Sequence, residues 1–115
     1  MIELKVEDNA GGVVVIRISG EFFIENIQKV EGIWLEQLKK NPSIIGIDCR
    51  ELQYIDSSAI GTLVKFLNTA MNRQIKLVFF DLNASIAQIF KTARLSNFFS
   101  ITTREIFGKE YLSAK

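Results

Sequence analysis

Apolar and charged residues alternate at the start of the chain. Ile2, Leu4 and Val6 fall on one side of an extended segment, with Glu3, Lys5 and Glu7 on the other, which predicts a half-buried strand over residues 2–7. Asn9-Ala10-Gly11-Gly12 is a turn signal. The β-rich run from Val13 to Ser19 then predicts the second arm of a hairpin. Beyond it the period lengthens. Ile24, Ile27, Val30, Trp34 (or Ile33) and Leu38 recur at helical spacing over residues 24–40. Gly32 weakens that helix a little, and Asn41-Pro42 ends it.

The second half repeats the alternation of element types. Ile44-Ile45-Gly46-Ile47-Asp48-Cys49 is a short continuous apolar run that suits a strand buried on both faces. Residues 57–71 carry the strongest helical pattern, with Ile60, Leu63, Val64, Leu67 and Met71 as the expected core stripe. Ile75 to Phe80 reads as another buried strand, and residues 84–94 as a helix with Ile86, Ile89, Phe90 and Ala93 inward. Phe98 to Ile101 suits a short edge strand. Thr102 with Glu105 forms a capping box for a last helix. Strands alternating with helices of this length predict an α/β fold in one domain, residues 1–115. Its sheet is mainly parallel and four- to five-stranded, with an N-terminal β-hairpin and about four helices.

Composition narrows the function classes. Hydrophobic residues are 48% and charged residues 23% of 115, enough to bury a core. Fourteen basic and thirteen acidic residues leave a net charge of +1, and the longest lysine run is the pair Lys39-Lys40. Nucleic acid and anionic membrane surfaces call for clustered positive charge, so neither is an expected partner. The apolar runs are far shorter than the roughly 20 residues of a membrane span. The N-terminus lacks the pattern of a signal peptide, which points to the cytoplasm. The single Cys49 lies in an apolar stretch and reads as a small buried hydrophobe. Histidine is absent, which removes the Ser-His and Cys-His arrangements and the commonest metal ligand. No catalytic residue, metal site or cofactor is expected. An enzyme using Ser58 as nucleophile would need a lysine or carboxylate base.

The informative segment is Tyr54-Ile55-Asp56-Ser57-Ser58-Ala59-Ile60-Gly61, between a buried strand and the best helix. Asp56 is a strong N-cap candidate, its carboxylate accepting free N–H groups of the first turn. Ser57 and Ser58 follow in that turn. A helix N-terminus tolerates negative charge, so either serine can carry a phosphate without melting the helix. Stepping about 100° per residue from the expected core stripe, Ser57 lies roughly 60° from the core direction and Ser58 about 160°. That phase places Ser58 outward with Thr62, Lys65 and Thr69, and leans Ser57 toward the core. The plainer reading, that both serines are ordinary first-turn residues, stays open. Phe66 falls about 120° from the stripe and suits either a neighbouring helix or a partner. Trp34 is expected to face the core, as is one member each of Phe22-Phe23 and Phe98-Phe99. Asp48 reads either as a functional carboxylate beside Ser58 or as a simple strand-end residue, and its place at the carboxyl end of a parallel strand favours the first.

The order of elements, with Asp-Ser-Ser-Ala-Ile-Gly opening the second long helix, resembles the STAS domain (sulphate transporter and anti-sigma factor antagonist) over essentially the whole chain. The likeness is nearest to free-standing bacterial anti-sigma-factor antagonists. Asp48 followed eight residues later by Asp56-Ser57-Ser58-Ala59-Ile60-Gly61 matches their spacing. Asn83-Ala84-Ser85-Ile86 and Arg94-Leu95-Ser96-Asn97-Phe98-Phe99 are also similar. The resemblance implies that Ser58 is phosphorylated by an anti-sigma factor with serine kinase activity, and that a phosphatase resets it. Asp48, Asp56, Ser57, Ala59, Thr62 and Lys65 are the expected flanking or partner-binding residues. A homodimer stays open. Two positions depart from the family. Phe23 stands where many antagonists carry Asp, with Glu21 a carboxylate close by in sequence. Ala59 replaces a usual Gly, which favours the helix by about 1 kcal/mol. A second role within the same resemblance is an accessory subunit of a lipid-transport ATPase.

Overall fold

The computed structural model describes residues 1–112. Strand β1 (Glu3–Asn9) and strand β2 (Val13–Phe22) form the expected antiparallel hairpin, in register from Glu3 with Ser19 to Asn9 with Val13. Gly11 and Gly12 adopt φ of 80° and 76° in its turn, a left-handed conformation natural to glycine. A 3-10 turn (Ile24–Asn26) leads into helix α1 (Ile27–Leu38). Strand β3 (Ile44–Asp48) follows, then β4 (Leu52–Ile55), helix α2 (Ser57–Asn72) and β5 (Lys76–Phe80). Helix α3 (Ala84–Thr92), strand β6 (Ser100–Thr102) and helix α4 (Arg104–Phe107) complete the order, with a π-turn at Gly108–Leu112.

The sheet runs β1-β2-β3-β5-β6, with every pair after the hairpin parallel. Strand β2 is long enough to serve two neighbours. Val13–Arg17 pairs with β3, and Gly20–Phe22 pairs with β4 after an irregularity at Gly20 and Glu21. β4 has no counterpart in the sequence reading, because Leu52 and Ile55 are buried while Gln53 and Tyr54 between them are exposed. That in-out-out-in order hides the two-residue period on which strand recognition depends. The last helix is capped by Thr103, whose Oγ1 accepts the Ile106 N–H at 3.1 Å, and not by Thr102, which belongs to β6.

Successive residues of a strand point to opposite faces. One face carries Ile16, Ile18, Ile45, Ile47, Leu77 and Phe79 into the main core beneath α1, α2 and α3. The other carries Val13, Val15, Val78 and Phe80, covered by Phe107 of α4 with Tyr111 beside it. β3 and β5 are thus buried on both sides, as their continuous apolar runs require. Of the aromatic pairs, Phe22 and Phe99 are buried, while Phe98 is exposed and Phe23 half-buried.

The phase of α2 differs from the expected stripe. Ala59, Thr62, Leu63, Phe66 and Ala70 are buried, whereas Ile60, Val64 and Leu67 are half-buried and Met71 is 64% exposed. The reason is a second neighbour. Phe66 stacks on Trp34 of α1, ring centroids 4.3 Å apart and planes within 7°. The buried arc therefore lies between the sheet and α1, and small Ala59 and Ala70 occupy part of it. A stripe drawn from large aliphatic residues alone is rotated away from it.

Candidate functional site

Helix α2 starts where the ends of β2 and β4 meet. Asp56 is the N-cap, with extended backbone, and its Oδ1 accepts the Ala59 N–H at 2.9 Å. Its Oδ2 accepts the Ile24 N–H, also at 2.9 Å. One carboxylate therefore fixes the helix start and pins the loop that leaves β2. The Asp56 N–H donates to the Phe22 carbonyl at 3.3 Å, and the Phe23 ring meets Tyr54 edge-on at 5.7 Å. The expected cap is present, and it has a second role that helix signals do not reveal.

The rotated phase moves the serines. With the buried set centred near Ala59 and about 100° per residue, Ser58 lies roughly 100° from the core direction and Ser57 roughly 160°. Ser57 is exposed and Ser58 half-buried. The expectation that Ser57 leans inward and Ser58 points fully outward is therefore corrected. Neither hydroxyl takes part in a hydrogen bond among the described residues. The Ser58 carbonyl accepts Thr62 Oγ1 at 3.0 Å. Both serines sit in the first turn of a sixteen-residue helix, where free N–H groups and the dipole favour an anion.

The other expected site residues divide by burial. Ala59 is fully buried and Thr62 is 6% exposed, so both lie under the surface and not on it. Thr62 is buried because it falls at the edge of the covered arc beside Phe66, and its hydroxyl is satisfied within the helix. Lys65 is exposed and donates to Glu31 Oε2 of α1 at 3.0 Å.

Asp48 does not stand beside Ser58. Its side chain leaves β3 on the face of Phe80 and Phe107, whereas α2 packs on the opposite face. There its buried carboxylate accepts Arg17 Nε at 3.2 Å, Arg104 Nη2 at 2.7 Å and the Arg50 N–H at 3.1 Å. Arg104 also donates from Nε to Asp81 Oδ2 at 3.0 Å and lies over the Phe80 ring at 5.4 Å. These bonds, led by the one to Asp48, raise the Arg104 pKa above its ordinary value. Asp48 is thus a structural clasp between the sheet and α4. Arg17 and Arg104, 31 and 56 residues away in sequence, gave no local signal of it.

Cys49 is fully buried. Burial first, then the carboxylates of Asp48 and Asp81, push its thiol well above the ordinary range. It is an inert core residue. No group of His, Cys, Asp or Glu among the described residues could hold a metal ion, and no helix among them is long and apolar enough to cross a membrane.

Comparison with known proteins bears on this geometry. An anti-sigma-B factor antagonist of Listeria monocytogenes is 27% identical over 105 residues, covering 90% of this chain and 91% of the relative. Among solved structures, an anti-sigma factor antagonist from Mycobacterium paratuberculosis matches with a TM-score of 0.79 and 18% identity, over 89% of this chain and 86% of that one. SpoIIAA, a Bacillus cell fate determinant solved in its phosphorylated form, matches with a TM-score of 0.69 and 16% identity, over 90% and 95%. The STAS domain model matches residues 2–109, from the first strand to the turn that follows α4. The chain belongs to the STAS domain family.

Proposed function

We propose that this chain is an anti-sigma-factor antagonist. It binds an anti-sigma factor with serine kinase activity through the surface around the start of α2, and phosphate on Ser58 releases that partner. The observation that carries the reading is Ser58 itself, a partly exposed serine with an unengaged hydroxyl in the first turn of a well-capped helix. The relatives named as anti-sigma-B factor antagonists support it, as does the solved phosphorylated form of SpoIIAA. The match of Asp56-Ser57-Ser58 to the family pattern supports Ser58 over Ser57.

The physics of release is local. Phosphate adds about −1.5 to −2 charge at pH 7. The helix start tolerates it, but a partner in close contact with a neutral serine must then desolvate a dianion. Kinase and ATP belong to the partner, and a phosphatase resets the protein, which works in the cytoplasm and performs no chemistry of its own.

The test is to identify by co-purification the anti-sigma factor bound in the native cells, then incubate both purified proteins with ATP and map phosphate by mass spectrometry. Phosphate on Ser58 is the expected result. Phosphate only on Ser57, or none in residues 54–61, overturns the reading. Recovery of a membrane lipid-transport ATPase in place of an anti-sigma factor replaces it with the accessory-subunit role.

A further inference from the structure

Large apolar side chains are exposed where the loop after β2 meets the end of β4. Ile24 is 62% and Tyr54 48% exposed, and Phe23 packs its ring against Tyr54. Exposed apolar residues are ordinary when scattered. These are held together. The Ile24 N–H is pinned by Asp56, Glu21 of β2 pairs with Tyr54 of β4, and the Phe23 N–H closes the turn on Asn26 Oδ1 at 3.1 Å. The patch therefore needs little ordering on contact, which lowers the cost of binding. Asp56 makes it continuous with Ser57 and Ser58.

The patch's own side-chain charges have one sign, while the N-terminal ammonium reaches Glu21 and Lys29 lies one turn beyond Glu25. Residues 21–26 and 54–58 contain Glu21, Glu25 and Asp56 but no lysine or arginine. Glu21 is engaged at 3.4 Å by the N-terminal ammonium, and Asp56 by its two N–H donors, which leaves Glu25 as the exposed acidic rim.

We infer that Ile24 and Tyr54 are the anchors by which this chain holds its protein partner, and that the partner meets them with an apolar surface flanked by a basic side chain opposite Glu25. The inference rests on the function proposed above and adds the chemistry of the partner's face. Aromatic and aliphatic anchors at the centre of a contact carry most binding energy, while rim charges set association rate and specificity.

The test measures affinity for the anti-sigma factor identified above, at low and high salt, with circular dichroism and thermal melting as folding checks. Ile24→Ser and Tyr54→Ser are each expected to weaken binding about tenfold or more. Tyr54→Phe is expected to retain binding, because the ring and not the hydroxyl is the anchor. Glu25→Lys is expected to slow association, an effect that fades at about 1 M salt. Met71→Ser, at the far end of α2 and equally exposed, is expected to change nothing. Binding within about twofold of wild type in both Ile24→Ser and Tyr54→Ser overturns the inference. If wild type still binds and is phosphorylated on Ser58, the proposed function survives that result. If wild type binds no anti-sigma factor, both fall together.

Discussion

The ring of Phe107 lies against the backbone of Gly46. A Cβ built on Gly46 would stand 2.5 Å from Phe107 Cζ and 2.9 Å from Cε1, with Phe80 Cε2 at 3.2 Å. Glycine in mid-strand ordinarily weakens a sheet. Here its missing side chain is the slot into which α4 docks, and the ring closes the second face of the sheet over Val13, Val15, Val78 and Phe80.

That contact predicts a coupled pair of variants. Gly46→Ala is expected to destabilise by about 1–3 kcal/mol, because the ring must move. Phe107→Ala is expected to cost about 3–5 kcal/mol. In the Phe107→Ala background most of the Gly46→Ala penalty should vanish, since the clashing ring is gone. Chemical denaturation of the four proteins measures the coupling, and additive costs would show that α4 does not seat on Gly46.

The phase of α2 is tested by three alanine variants. Leu63→Ala is expected to cost about 2–5 kcal/mol and Met71→Ala to stay within about 0.5 kcal/mol. Phe66→Ala is expected to cost about 3–5 kcal/mol and to alter Trp34 fluorescence, because the two rings stack at 4.3 Å. Equal losses at Leu63 and Met71 would restore the stripe expected from the sequence and the outward placement of Ser58.

The contrast between these residues shows what the sequence could carry. Alternation in residues 2–7 and the continuous run at 44–48 depend on each strand's own burial, so hairpin and parallel sheet were legible. So was the cap at Asp56, whose donor lies three residues on. The phase of α2 was not, because it depends on where α1 docks. β4 was hidden for a similar reason: it is fixed by pairing with β2 beyond Gly20, more than thirty residues away. The site was half legible. Asp56 and the serines announce themselves, but the approach of Ile24 to Asp56 and of Phe23 to Tyr54 exists only after folding.

Asp48 provides a test of structure against recognition. Asp48→Ala leaves Arg17 and Arg104 without their shared carboxylate and should cost about 3 kcal/mol, toward the low end for buried pairs because both arginines are partly exposed. Arg17→Ala should cost about 1 kcal/mol. Arg104→Ala should cost more than Arg17→Ala, since it also loses Asp81 and the face of Phe80. Urea midpoints measure all three. At temperatures where Asp48→Ala remains folded, its affinity for the anti-sigma factor should match wild type, because the carboxylate opens on the other face of the sheet from α2. A large loss of affinity by the folded variant would return Asp48 to the recognition surface.

The switch itself is tested at two adjacent serines that the structure distinguishes by exposure. Ser58→Asp places a carboxylate at the second position of α2, where the dipole contributes about 0.3–1 kcal/mol and the neighbouring Asp56 opposes part of that gain. Thermal stability should therefore stay near wild type while affinity for the anti-sigma factor drops, because the cost arises only when the partner desolvates the charge. Ser58→Ala should fold and bind, yet remain bound in the presence of kinase and ATP. Ser57 is the more exposed of the two and engages nothing through its hydroxyl, so Ser57→Ala should cost within about 0.5 kcal/mol and leave switching intact. The measurements are melting temperature, affinity and dissociation on adding ATP. Retained affinity in a folded Ser58→Asp, together with release of Ser58→Ala by ATP, would remove Ser58 from the mechanism. Loss of switching in Ser57→Ala alone would move the switch to the neighbouring hydroxyl, where exposure by itself would have put it.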